Sequence, residues 1–130
     1  MCSIAKELEE RGFIVTSRWL ESTAALSHGD LENGTAATFA DMDFEDLRRA
    51  DVCIAFTEPT DSSTRGRGGR HAELGIAIGL GLTVLLVGPP EHVFHALPSL
   101  YRAKDWEAAR RLIRTGALTP EESGRRQAAA

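Results

Sequence analysis

Two short runs, DVCIAF at 51–56 and TVLLV at 83–87, most constrain what this chain can fold into. The first is apolar on both faces, as strands of a sheet covered on both sides tend to be. Between the two runs a helix is predicted from about Arg70 to Leu82, and other helical and strand-length segments alternate around them. Ile4 and Leu8 mark an amphipathic helix over 3–11, stopped by Gly12, and Phe13–Thr16 is β-branched and of strand length. Residues 21–34 read as a loop. From Thr35 to Ala50 a helical stripe of Ala36, Phe39, Ala40, Phe44 and Leu47 follows. A loop covers Glu58–Gly69, and a short turn or helix covers Glu91–Leu97. Asp105 is a good N-cap for a last helix that buries Trp106, Ala109, Leu112 and Ile113 and ends at Gly116. Such alternation indicates a three-layer α/β domain with a parallel sheet and right-handed crossovers. Residues 1–116 form one domain on this reading, and 117–130 are expected to fray.

One irregularity stands out. A doubly wound domain usually begins with a strand, and this chain begins with a helix. Binding sites in such sheets lie beyond the carboxyl ends of the strands.

The 130 residues suit a single domain, and a net charge of −4 argues against a dedicated nucleic-acid binder. The longest uncharged stretch, Leu74–Pro90, is broken by four glycines and ends in two prolines. It reads as a buried helix followed by a strand, so no membrane partner is expected. Two cysteines are too few for a disulfide framework. With Cys53 inside an apolar run and no signal peptide visible, a cytoplasmic protein is expected.

Chemistry is concentrated in RGRGGRHAELG, residues 65–75. Gly66, Gly68 and Gly69 permit close approach of a ligand to a helix start, where N–H groups lack intrahelical partners. Arg65, Arg67, Arg70 and His71 add anion-binding donors. A solvated RG-rich loop is the plain alternative, and neither a GxxxxGK[ST] loop nor a complete GxGxxG fingerprint is present. Glu73 is expected in the first turn of an otherwise apolar helix, where the dipole favours its ionised form. An ionised, partly desolvated carboxylate suits attack on a sugar's anomeric carbon, although Glu is also common in first turns for structural reasons. Asp43 lies on the apolar stripe four residues from Phe39 and from Leu47, with Asp41, Glu45 and Asp46 around it. It could orient Glu73 or protonate a leaving group; otherwise it is a boundary residue of an acidic helix. Trp19 could stack on a base or simply pack. The four histidines, His28, His71, His92 and His95, show no metal-ligand spacing. No metal and no cofactor are expected.

The runs DLRRADVCIAF (46–56) and GGRHAELGIAIGLGLTVLLVG (68–88), with RGFIVTSRWLE and VFHALP, resemble the nucleoside 2-deoxyribosyltransferase-like family, which includes hydrolases of 2-deoxynucleoside 5-monophosphates. The resemblance spans roughly residues 4–113. It implies a flavodoxin-like or Rossmann-like sheet and cleavage or transfer at a base–sugar N-glycosidic bond. It also implies that Glu73 is the nucleophile that forms a glycosyl-enzyme and that Asp43 lines the pocket. Trp19, Gly68, Gly69, Arg70 and His71 are the expected substrate-binding residues. The family opens with a strand and loop at the pocket floor, and this chain starts within the helix that follows. A sheet without that central strand exposes two inner edges, so a replacement is expected, a partner chain being one source. Because the helix at 70–82 is too apolar to leave a face in water, a homodimer or higher homo-oligomer is expected. Two other functions compete: a nucleotide-binding module that keeps the pocket without turnover, and an interaction protein whose arginine loop binds an acidic partner.

Overall fold

The computed structural model describes residues 3–18, 34–57, 67–118 and 127–129. In chain order its elements are α1 (Ser3–Glu10), β1 (Ile14–Val15), α2 (Thr35–Arg48), β2 (Val52–Phe56), α3 (Arg67–Gly79), β3 (Thr83–Val87), a 3-10 turn (Val93–Ala96), β4 (Tyr101–Ala103), α4 (Trp106–Arg114) and β5 (Gln127–Ala129). The strands form one five-stranded sheet in the order β1-β5-β2-β3-β4, and every ladder in it is parallel. The fold is a flavodoxin/Rossmann-like three-layer α/β domain.

A central strand of the sheet comes from the carboxyl-terminal segment. Gln127–Ala129 lies between β1 and β2, with Ala128 paired to Val15 on one side and to Val52 on the other. With β5 counted as the first strand, the order becomes the common doubly wound 2-1-3-4-5. The expectation that the tail frays is therefore corrected at these three residues, whose backbone groups satisfy both inner edges. Their small, weakly apolar composition (QAA) carries no strand signal, so the sequence pattern misses them. β4 was likewise not anticipated; it pairs with β3 from Leu85–Tyr101 to Val87–Ala103.

Alternation along β2 and β3 divides the core into two layers. Val52, Ile54, Leu85 and Val87 pack with Leu8 of α1 and with Ala109 and Ile113 of α4. Cys53 and Val84 face the other way, against Leu47 and Ala50 at the end of α2 and Leu74 and Ala77 of α3. Each large side chain buried in this way contributes about 1.5–3 kcal/mol. The first layer is pinned at its rim by Glu7, whose carboxylate accepts from Trp106 Nε1 and Arg110 Nε, both at 3.0 Å, and from Arg11 at 3.0 Å. Burial works to raise the Glu7 pKa, but the hydrogen bonds from Trp106, Arg11 and Arg110 outweigh it and hold the carboxyl below its ordinary value.

The expected Asp105 cap is present: its side chain accepts from Ala108 N–H at 2.8 Å. Two helices differ from the sequence reading. In α2, Phe44 is 44% exposed and Ala40 is exposed, whereas Asp46 is buried with Leu47. The buried face is thus rotated toward the 39-43-46-47 line. In α3, the helix starts at Arg67 and ends at Gly79, three residues earlier at each end than expected. Gly68 and Gly69, read as loop, belong to its first turn. Gly81, at φ 74°, closes its far end, where Leu82 N–H donates to Ala77 O at 3.0 Å. Nor is α3 buried all round, because Ala72, Gly75 and Gly79 are exposed.

At the carboxyl ends of the strands, Thr57 and Gly88 hold β2, β3 and β4 together. Thr57 N–H donates to Val87 O at 2.9 Å, Thr57 Oγ1 to Pro89 O at 2.7 Å, and Gly88 N–H to Ala103 O at 2.9 Å. Gly88 has φ 117°, and a Cβ there would collide with Thr57, so only glycine fits.

Candidate functional site

α2 and α3 lie side by side on one face of the sheet, and this placement brings Asp43 and Glu73 into electrostatic contact. Both residues are partly buried. Glu73 titrates at about 7, raised from 4.5 first by burial and then by the negative charge of Asp43, against a smaller opposing pull from Arg70. Asp43 is also raised, by burial and then by Asp46, with Arg18 opposing. Asp43 ionises first, and its charge then helps keep the proton on Glu73. The negative charge of Glu73 is felt in turn by Cys53 beneath it, whose thiol is pushed up to about 12, chiefly by burial. Cys53 is consequently an inert core thiol.

This electrostatic picture corrects the expectation for Glu73. With α3 starting at Arg67, Glu73 stands nearly two turns into the helix, and the first turn contains no acidic residue. The dipole acts mainly within the first turn, so desolvation and Asp43 dominate. At neutral pH the carboxyl is divided between its acid and its carboxylate.

Asp46 is the residue that sequence reading undervalued. Its carboxylate accepts from Arg18 N–H at 2.9 Å, from Arg18 Nε at 2.7 Å and from Arg49 Nη2 at 2.9 Å, and its carbonyl accepts from Thr16 Oγ1 at 3.0 Å. It fastens the segment after β1 to α2, the helix that carries Asp43. A buried acid with arginine partners both before and after it in sequence was the available signal, masked by its acidic neighbours.

The other expected site residues divide. Gly68 and Gly69 lie in the first turn of α3, and nothing lies within 4 Å of where a Cβ on Gly69 would stand. Arg70 is exposed on the same turn, close enough to act on Glu73. His71 points away from Glu73, toward the segment after β3: its Nδ1 lies 3.1 Å from His92 Nε2, and its Nε2 lies 3.5 Å from a Glu91 carboxylate oxygen. Trp19, Arg65, Gly66 and most of the Glu58–Gly69 loop lie outside the described residues.

His71, His92 and His95 form a cluster that spacing did not suggest, with one possible ligand atom from each within 4.8 Å of the others. They come together because β3 runs up beside α3 and the following turn folds back over it.

Comparison with family models, with curated proteins and with solved structures gives no match. Among the described residues, no helix is long and apolar enough to cross a membrane.

Proposed function

We propose that this protein cleaves or transfers at the N-glycosidic bond of a 2-deoxynucleoside or its 5-monophosphate, with Glu73 as nucleophile. The observation that carries the reading is the Glu73–Asp43 pair. A partly buried carboxyl on the helix that follows the Gly-rich loop is pushed up to about 7, first by burial and then by the charge of a second carboxylate. Paired carboxyls with separated pKa values are the usual equipment for glycosidic chemistry.

In this reading the ionised Glu73 attacks C1′ of the sugar. The C–N bond breaks, its electron pair leaves with the base, and the base takes up a proton. Water, or a second base, then displaces Glu73 from C1′. Asp43 acts on Glu73 and on the leaving base through its charge and position. The N–H groups of Gly68 and Gly69 in the first turn of α3, with the Arg70 side chain exposed beside them, offer a seat for an anionic group on the substrate.

The protein is further read as cytoplasmic, acting on a small molecule, and as a homodimer or higher homo-oligomer. The exposed face of α3 supports the assembly: Gly75 and Gly79 lie one turn apart with open space above both, so a second helix could approach closely. Sedimentation should show a species heavier than 14.1 kDa, and a monomer alone would remove this part of the reading.

The test is to incubate the chain with a deoxynucleoside or its monophosphate and look for free base by chromatography. Release by the native protein and none by Glu73→Ala, with unchanged circular dichroism, is expected. Binding without release would leave a nucleotide-binding module instead.

A further inference from the structure

The segment that follows β3 places two imidazoles, His92 and His95, and the Glu91 carboxylate against His71 in the first half of α3. His95 is buried, at 1% exposure, and His71 and His92 are partly buried. The rings of His92 and His95 lie 3.7 Å apart between centroids, those of His71 and His92 4.5 Å apart. Hydrophobic packing does not account for three polar rings in such contact, and hydrogen bonds satisfy only part of the group. With His71 Nε2–H directed to Glu91, His71 Nδ1 is an acceptor, and His92 Nε2–H donates to it at 3.1 Å. His92 Nδ1, the other nitrogen of that ring, is buried without a hydrogen-bond partner. His95 Nδ1 is held by Glu91 N–H at 3.0 Å.

We propose that His71, His92 and His95 bind a divalent transition-metal cation of the zinc class, one nitrogen from each ring, with Glu91 as the outer carboxylate on His71. The 3.1 Å between His71 Nδ1 and His92 Nε2 is close to the separation of two ligands on one tetrahedral ion, about 3.3 Å for bonds of about 2.0–2.1 Å. A cation bound there takes the place of the hydrogen bond between the two nitrogens, and the His92 proton moves from Nε2 to Nδ1, so that the ring stays neutral. The Glu91–His71 contact is the carboxylate–histidine arrangement that orients a metal-bound imidazole and raises its basicity. The ligand atoms of the three rings lie within 4.8 Å of one another, so the rings draw together slightly on loading. Three protein nitrogens leave a fourth position open, and His71 is accessible enough, at 36% side-chain exposure, for a ligand to reach it. Imidazole donors favour zinc, cobalt, nickel and copper over calcium or magnesium.

The proposal is independent of the glycosidic reading, and its test does not use activity. The full chain is titrated with cobalt(II) chloride and followed by visible ligand-field absorption and by calorimetry. One ion per chain is expected, displaced by zinc chloride, with weaker uptake as pH falls through the histidine range. His92→Ala and His71→Gln should each abolish uptake while preserving the circular dichroism of the native chain. Glu91→Gln should weaken uptake by about tenfold, and His28→Ala should leave it unchanged. No uptake by the native chain, uptake that survives both histidine substitutions, or uptake lost in His28→Ala overturns the proposal.

Discussion

Val52 pairs in parallel with Ala128, so the centre of the sheet is closed by the far end of the same chain. β1 meets no strand but β5 among the described residues, and its place in the sheet therefore depends on those three terminal residues. Ending the chain after Leu118 should lower the thermal midpoint and speed amide exchange along Val52–Phe56. Ala128→Pro, which places a proline in a central strand, should destabilise by on the order of 1–3 kcal/mol through a lost or orphaned ladder bond. Unfolding curves that match those of the native protein for both variants would show that β5 adds nothing.

The acid of Glu73 gives the fold a definite pH dependence. Its folded pKa of about 7 exceeds the ordinary 4.5, so the native state holds the extra proton between those values. Its contribution to stability is greatest below pH 4.5 and is lost as pH rises toward 7. Glu73→Gln should flatten this part of the stability curve, measured by urea denaturation at several pH values. Activity should move oppositely, climbing with pH to a plateau above about 7 as the nucleophile ionises. A flat rate profile between pH 5 and 8 would contradict the assignment.

Asp46 should matter more to stability than Asp43. It is 2% exposed and carries hydrogen bonds to Arg18 and Arg49. Asp46→Ala removes charge-assisted bonds worth about 1.5–3 kcal/mol each, reduced in sum because both arginines reach solvent. A loss of roughly 2–4 kcal/mol is expected by chemical denaturation. Asp43→Asn should cost little or even stabilise, because it removes a repulsion with Asp46 and Glu73, while lowering the pKa of Glu73. Equal losses for the two variants would mean that their roles are not separate.

The positive charge about the start of α3 should favour an anionic substrate. Arg65, Arg67 and Arg70 stand in a chain of net charge −4, so their field is local. One well-made charge-assisted contact to a 5-phosphate shifts affinity by about tenfold or more. Calorimetry should find a deoxynucleoside monophosphate tighter than its nucleoside, with the gap narrowing in salt. Equal affinities would return the arginines to solvent.

The layered fold was legible because apolar period and element type agree. TVLLV is β3 at the expected bounds, and Asp105 caps α4 as its sequence indicates. What escaped was set by tertiary contact. Gln127–Ala129 has no hydrophobic pattern and becomes a strand because two open edges accept it. Glycines at 68 and 69 read as loop residues, yet they continue a helix whose later turns are anchored by Leu74 and Ala77. Asp43 and Glu73 were visible as candidates, but their shared electrostatics depends on how α2 and α3 pack. The histidine cluster joins one residue of α3 to two that follow β3, and no local spacing encodes that meeting.

The central claim is that Glu73 becomes bonded to a sugar carbon, and intact-mass spectrometry of protein quenched during turnover reads this directly. A 2-deoxyribosyl adduct, mapped by peptide fragmentation to Glu73 and absent from Glu73→Gln, is the predicted result. Free base released by a protein that stays unmodified under rapid quenching, or an adduct on any other residue, would contradict it.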